Sequence, residues 1–303
     1  MAKILLIGSL TKDLIRIQNI SKNLVGGSVY YAAEALNKFG DDVTLIPLLS
    51  LDNKSLLRHI HKRINVKPIY IKETFLFENI YSSKNIFNRK QRVLTLAGIN
   101  KGITIQDLKD LNLKEYDLIY LGPQSNIDIS KEVISYIFNK NKKVCLYAQG
   151  FFRNFYETEI KEQKWEEANK YLNHIYTLIL SDKQLLALSK KNNIKKAILK
   201  IAQMGPKEII VNMGKNGFLI YKDNHISPAP YPNLKGFINP NGVTSTFSAI
   251  YLSERTKNKN VENAIEYAIN AAYIKMNSWQ PLKKDRNRIE KIIKVHDLLN
   301  KLN

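Results

Sequence analysis

Lys3-Ile4-Leu5-Leu6-Ile7-Gly8-Ser9-Leu10-Thr11-Lys12-Asp13 is an apolar run that ends in a glycine and a polar segment. Residues 4–7 do not alternate apolar with polar, so they read as a strand buried on both faces. Similar runs recur at 43–49 (around Pro47), 118–121, 144–146, 177–180 and 209–211. Segments with helical spacing lie between them: 30–39, with Ala32, Ala33, Leu36 and Phe39 on one face, 130–138 and 184–188. Strand, helix, strand repeats of this kind predict an α/β fold, a doubly wound and mostly parallel sheet flanked by helices. The last third changes to helices at 246–255, 261–277 and 285–302, the second carrying Val261, Ala264, Ile265, Ala268 and Ala272 on one stripe.

One region breaks the rhythm. Residues 68–77 and 91–96 alternate apolar and polar like half-exposed antiparallel strands, which predicts a small β-sheet lid over a cleft. The expected organisation is a single domain over 1–303, with lid strands inserted at about 14–20 and 68–97. No linker, repeat or low-complexity tract divides the chain.

The 303 residues are 44% hydrophobic and 24% charged, which excludes disordered, collagenous and coiled-coil classes. The charge sum, 47 − 27 = +20, favours anionic ligands or surfaces without choosing among them. Its lysines are spread along the chain, and the densest stretch, 283–301 with seven Lys/Arg against three Asp/Glu, reads as a solvated helix face. Cys145 is the only cysteine and sits in an apolar run, so no internal disulfide forms and a buried structural thiol is expected. With no apolar stretch near the roughly 18 residues of a membrane span, and only 4–7 apolar at the N-terminus, the expected location is the cytoplasm, without membrane partners. His59, His61, His174, His225 and His296 are scattered and form no metal-ligand cluster.

Two places could hold chemistry. Val25-Gly26-Gly27-Ser28 precedes the first helix, where paired glycines admit a ligand close to the backbone; the competing reading is a plain turn with Ser28 as N-cap. Asn239-Pro240-Asn241-Gly242-Val243-Thr244-Ser245-Thr246 feeds an apolar helix whose free N–H groups suit an anion; the competing reading is a helix capped by Thr244 or Ser245.

In order along the chain, 8–13, Gly26-Gly27, the lid, Asn212-Met213-Gly214-Lys215-Asn216-Gly217, and Gly242 before Thr246-Phe247-Ser248-Ala249 resemble the PfkB carbohydrate kinase family, also called ribokinase-like. Residues 148–153 and the Ala-rich 264–275 add to the likeness, which covers roughly the whole chain. The resemblance implies phosphoryl transfer from ATP, with Mg²⁺, to a hydroxyl of a small-molecule sugar or nucleoside. It places Asp13, Gly26 and Gly27 on the substrate; Tyr30 and Tyr31, which follow Gly27, are the candidates to stack on a substrate ring, Tyr30 being preferred. Asn212, Gly214 and Gly217 would lie near the nucleotide, and a homodimer through the lid is implied as well.

The family's signature D-T-x-G-A-G-D falls on 239–245, where its final Asp, the base, is Ser245. A serine hydroxyl is un-ionised at neutral pH and cannot replace that carboxylate unaided. The anion hole, Gly242, Val243 and Thr244, carries two β-branched residues in place of the family's alanine and glycine, which resist positive φ and narrow the space. The family's N-x-x-E becomes Ser181-Asp182-Lys183-Gln184, so the metal region keeps only Asp182 and Gln184, and Tyr147 stands where relatives often carry Asp. Losses thus concentrate on proton, metal and phosphate handling while the substrate side is kept. The expectation is a family member that binds ligand with weak or no phosphotransfer. Two alternatives stand beside it: an active kinase using a displaced base (Asp182, Asp13 or a lid residue), and a basic nucleic-acid-associated protein using 87–92 and 151–156, where Lys/Arg and aromatic residues mix.

Overall fold

A computed structural model describes residues 1–81, 89–95, 101–232 and 238–302, with side chains to Val295. The strands are, in chain order, β1 (Lys3–Ser9), β2 (Thr11–Ile17), β3 (Ile20–Gly26), β4 (Asp42–Ser50), β5 (Asn65–Val66), β6 (Ile69–Ile71), β7 (Phe75–Tyr81), β8 (Arg89–Val93), β9 (Leu118–Gly122), β10 (Val144–Tyr147), β11 (Arg153–Tyr156), β12 (Glu159–Glu162), β13 (Thr177–Ser181), β14 (Glu208–Asn212), β15 (Phe218–Lys222) and β16 (His225–Ala229). The helices are α1 (Ser28–Lys38), α2 (Lys131–Lys140), α3 (Asn169–Leu172), α4 (Asp182–Ser189), α5 (Ile194–Ala202), α6 (Val243–Thr256), α7 (Val261–Met276) and α8 (Arg286–Leu302).

The large sheet runs β16-β15-β14-β13-β10-β9-β1-β4-β5, with β6 also on β4. It is parallel from β14 to β5, and the hairpin β15–β16 closes one edge antiparallel. Every apolar run read from the sequence is a strand of this sheet. In β1 the reason is visible: Ile4 and Leu6 pack with α1, α6, α7 and α8 on one face, while Leu5 and Ile7 pack with α2, α3, α4 and α5 on the other. Cys145 is fully buried in the first of these cores.

The second sheet, the lid, runs β11-β12-β8-β7-β2-β3. Only Leu10 separates β1 from β2, so the lid is rooted directly on the central strand. Its bounds differ from those expected at 14–20 and 68–97. The first segment is a full hairpin over 11–26, residues 69–71 pair with β4 in the large sheet, and the hairpin 153–162 adds two strands the sequence reading did not foresee. Leu96 and residue 97 lie outside the described residues. Phe75, Phe77 and Val93, packed with Phe155 and Ile160, form the lid's own apolar cluster.

Candidate functional site

A cavity of about 480 Å³ lies between the lid and the carboxyl ends of β10, β13 and β14. Open parallel sheets bind ligands at this end, at the point where the strand order reverses, which here is the β1–β9 junction. Gly8 and Gly122 face each other across that junction, and a side chain on Gly8 would strike the Gly122 carbonyl.

Two helix N-termini reach this cavity bare. Gly27 (φ 102°) is the N-cap of α1 and Gly242 (φ 79°) that of α6, and neither helix has a side-chain cap or an acidic residue in its first turn. The capping readings of Ser28, Thr244 and Ser245 are therefore corrected. Ser28 Oγ instead donates to the Gly122 carbonyl at 3.0 Å. Uncapped first-turn N–H groups with the helix dipole behind them are what an oxygen-rich or anionic ligand requires. Helix α4 differs, because Ser181 and Gln184 close it with a capping box: Gln184 N donates to Ser181 Oγ at 3.2 Å and Ser181 N to Gln184 Oε1 at 2.9 Å.

Asp13, on β2, is buried at the lid end of the cavity. Thr11 Oγ1 donates to its Oδ1 at 2.7 Å and Asn241 Nδ2 to its Oδ2 at 3.0 Å. The Asn241 amide is itself oriented by the Tyr81 hydroxyl, which donates to Asn241 Oδ1. Burial raises the Asp13 pKa, opposed by the Thr11 hydrogen bond and the charges of Arg89 and Arg153. Gly26 does not line the cavity; a Cβ there would fall on the Asp13 carboxyl group, so this glycine makes room for Asp13 while Gly27 lines the cavity. Tyr30 is corrected too. It is buried in the core, and Tyr31, one residue and about 100° further round α1, is the ring in the cavity, lying against Gly242.

At the other end, Asn212, Gly214, Gly242, Thr244 and Ser245 line the cavity; Val243 and Gly217 do not. A side chain at Gly217 would strike the Ala229 carbonyl, so that glycine serves the β14–β15 turn. Val243 and Thr244 take helical angles and only Gly242 has positive φ, so the expected φ conflict does not arise. Thr244 narrows the hole by position alone, its Oγ1 accepting from Asn212 Nδ2 at 2.6 Å. Ser245 is 3% exposed beside the Tyr120 and Ser248 hydroxyls, and burial pushes Tyr120 well above its ordinary pKa. Neither neighbour is a base that could activate Ser245.

Asp182 and Gln184 both line the cavity, but the Gln184 amide oxygen accepts from Ser181 N and Asp182 Oδ1 accepts from Lys183 N at 2.7 Å. Among the described residues no group of three His, Cys, Asp or Glu could hold a metal ion. A Mg²⁺ here would have to be held largely by substrate phosphates, with Asp182 as the nearby carboxylate.

Lys275 on α7 was not singled out in the sequence. It is fully buried behind the signature loop, donating to Ser278 O at 3.0 Å and Asn239 O at 3.4 Å, with its ammonium 5.2 Å from the centre of the Tyr31 ring. Burial lowers its pKa to about 7. Between about pH 7 and the unfolded value of 10.5 the unfolded chain holds a proton that the folded chain releases, so stability rises with pH there. Lys275→Met is expected to remove that slope, so its stability advantage over the parent grows as pH falls from 10 to 7 and then levels off. Urea melts across that range check it, and parallel curves for the two proteins would disprove it.

Residues 87 and 88 lie outside the described residues. In the other aromatic segment Phe151 and Phe152 are buried, Phe151 stacking on Trp165 at 4.4 Å, so these two rings are core, while Tyr156 is exposed. Among the described residues no helix is long and apolar enough to cross a membrane.

Uncapped helix ends meeting one cleft under a β lid mark a ribokinase-like α/β protein. Residues 1–279 match the pfkB family carbohydrate kinase family, and the chain belongs to it. Similar solved structures include a pyrophosphate-dependent kinase in the ribokinase family, in sulfate complex, at 20% identity and TM-score 0.82, covering 95% of this chain and 99% of that one. The same kind of kinase complexed with a pyrophosphate analog and myo-inositol is 19% identical, with 95% and 99% covered and TM-score 0.82. Arabidopsis thaliana ribokinase, complexed with ribose and ATP, is 16% identical, with 97% and 99% covered and TM-score 0.74. No curated protein matches the chain.

Proposed function

We propose that this family member binds a sugar-like or nucleoside-like molecule beside Asp13 and Gly27, with weak or no phosphotransfer. The observation that carries the reading is Ser245, a neutral hydroxyl on the first turn of α6 beside the Tyr120 and Ser248 hydroxyls. Anion positioning survives through the bare α6 N-terminus, but proton removal has no group of suitable pKa at that place. Family relatives take ribose with ATP or myo-inositol with a pyrophosphate analog, so both donors belong in the test.

A second reading, an active phosphotransferase, draws on Asp13: burial raises its pKa toward the range of a working base. Titration calorimetry against sugars, inositol and nucleosides, followed by acceptor-dependent release of ADP from ATP or phosphate from pyrophosphate, separates the two. Binding with no acceptor-dependent release is expected. Rapid release would overturn the proposal in favour of the second reading.

A further inference from the structure

We propose that the ligand bound beside Asp13 carries an anionic group, a phosphate or a carboxylate, held between Arg89 and Arg153 of the lid. This rests on the reading of the cavity as a small-molecule site.

Both arginines line the cavity, on β8 and β11. Arg153 is 6% exposed, yet among the described residues no carboxylate lies within ion-pair distance of it or of Arg89. Glu162, opposite Arg153 in the β11–β12 pairing, is exposed and makes no ion pair with it, and Asp13 is occupied by Thr11 and Asn241.

The guanidinium is nonetheless held firmly. Its Nη1 donates to Gln124 Oε1 at 2.7 Å and Gln124 O at 3.4 Å, and its Nη2 to Gln91 Oε1 at 2.8 Å. Both glutamines are fixed in turn: Gln91 Nε2 donates to Asn79 Oδ1 at 2.7 Å, Gln124 Nε2 to Ser28 Oγ at 3.4 Å, and the Gln124 backbone N–H to the buried Asp128 at 2.8 Å. Phe77 lies under the guanidinium at 5.1 Å.

These bonds leave the Nε–H and one Nη2–H of Arg153 without an acceptor among the described residues. Burial, together with the charge of Arg89, lowers the Arg153 pKa to about 9. Two like charges brought together in a partly desolvated cleft are unfavourable by themselves. An anionic ligand offsets that cost, and guanidinium groups match phosphate and carboxylate oxygens in shape as well as charge.

The test is titration calorimetry of the full chain with neutral hexoses and inositol, their monophosphates, and the corresponding sugar acids. An anionic member of a pair is expected to bind at least about 30-fold more tightly than its neutral parent, two charge-assisted hydrogen bonds setting the scale. The phosphate and acid arms show which anion is preferred. Arg89→Gln, at an exposed position, is expected to lower the anionic-to-neutral ratio at least about tenfold, and Arg153→Lys to lower it while the protein stays folded. Equal affinity for anionic and neutral partners would overturn this proposal and leave the site reading intact. Binding of neither kind would overturn both.

Discussion

A Thr244→Gly, Ser245→Asp double variant is expected to gain phosphoryl transfer to an acceptor by about 10²- to 10⁴-fold, the usual worth of a positioned general base. Position 245 lies on the first turn of α6, behind the uncapped Gly242, where a carboxylate is stabilised by the helix dipole. The Tyr120 hydroxyl beside it can donate to a carboxylate, since burial keeps that phenol protonated. Removing the Thr244 side chain frees Asn212 Nδ2, now donating to Thr244 Oγ1, and widens the approach to the first-turn N–H groups. The helix itself is secure: Phe247 is fully buried and stacks on Phe218 at 3.8 Å, which anchors α6 to β15. A glycine inside the helix costs roughly 1 kcal/mol, so a melting point lowered by a few degrees is expected alongside the gain. Turnover with ATP and with pyrophosphate, measured beside a thermal melt, checks both. A folded variant that still binds ligand but shows no gain would mean that the missing base is not what limits the reaction.

The large sheet was legible because strands buried on both faces need unbroken apolar runs, and 4–7, 118–121 and 209–211 can satisfy little else. The lid was only half legible. Strands β11 and β12 are short and largely exposed, with Asn154, Glu159, Lys161 and Glu162 among them, so they carry no clear alternation, and the buried Phe151 and Phe152 just before them draw the eye to the core. The hairpin β15–β16 did carry a signal: Asp223 and Asn224 both have positive φ, the demand of a tight two-residue turn, and Asp-Asn between apolar stretches suits it. In the site, Asp13, Gly27, Gly242 and Ser245 could be named from local motifs. Arg153 could not, since its partners Gln124 and Gln91 lie 29 and 62 residues away in sequence. The exchange of Tyr30 for Tyr31 has a plain cause as well. Both are buried, and only the rotation of α1 against Gly242 decides which ring meets the cavity.

Asp13→Asn is expected to weaken ligand binding by about 10²-fold without destabilising the fold, because the carboxylate costs the free protein something and serves the bound one. Its charge is buried at 7% exposure, and that burial raises its pKa. Asparagine has nearly the same shape. Its Oδ1 can accept from Asn241 Nδ2, whose orientation Tyr81 fixes, and the Thr11 hydroxyl can turn to accept from its Nδ2. Both internal hydrogen bonds are therefore kept while the desolvated charge is removed. A folded pKa above the unfolded one means that the folded protein binds the proton more readily. The penalty for ionising Asp13 is then absent below the unfolded value of 3.8, grows as pH rises from there to the folded value, and stays constant above it. The variant should therefore be at least as stable as the parent at pH 7, with its advantage shrinking toward acid pH. Ligand binding moves the other way, since a hydroxyl donating to a charged acceptor contributes about 1.5–3 kcal/mol, and an amide oxygen that is already engaged cannot replace it. Calorimetric affinities and melting curves at pH 5 and pH 7 test both halves. Unchanged affinity would remove Asp13 from the binding site, whereas parallel loss of stability and affinity would make its role structural.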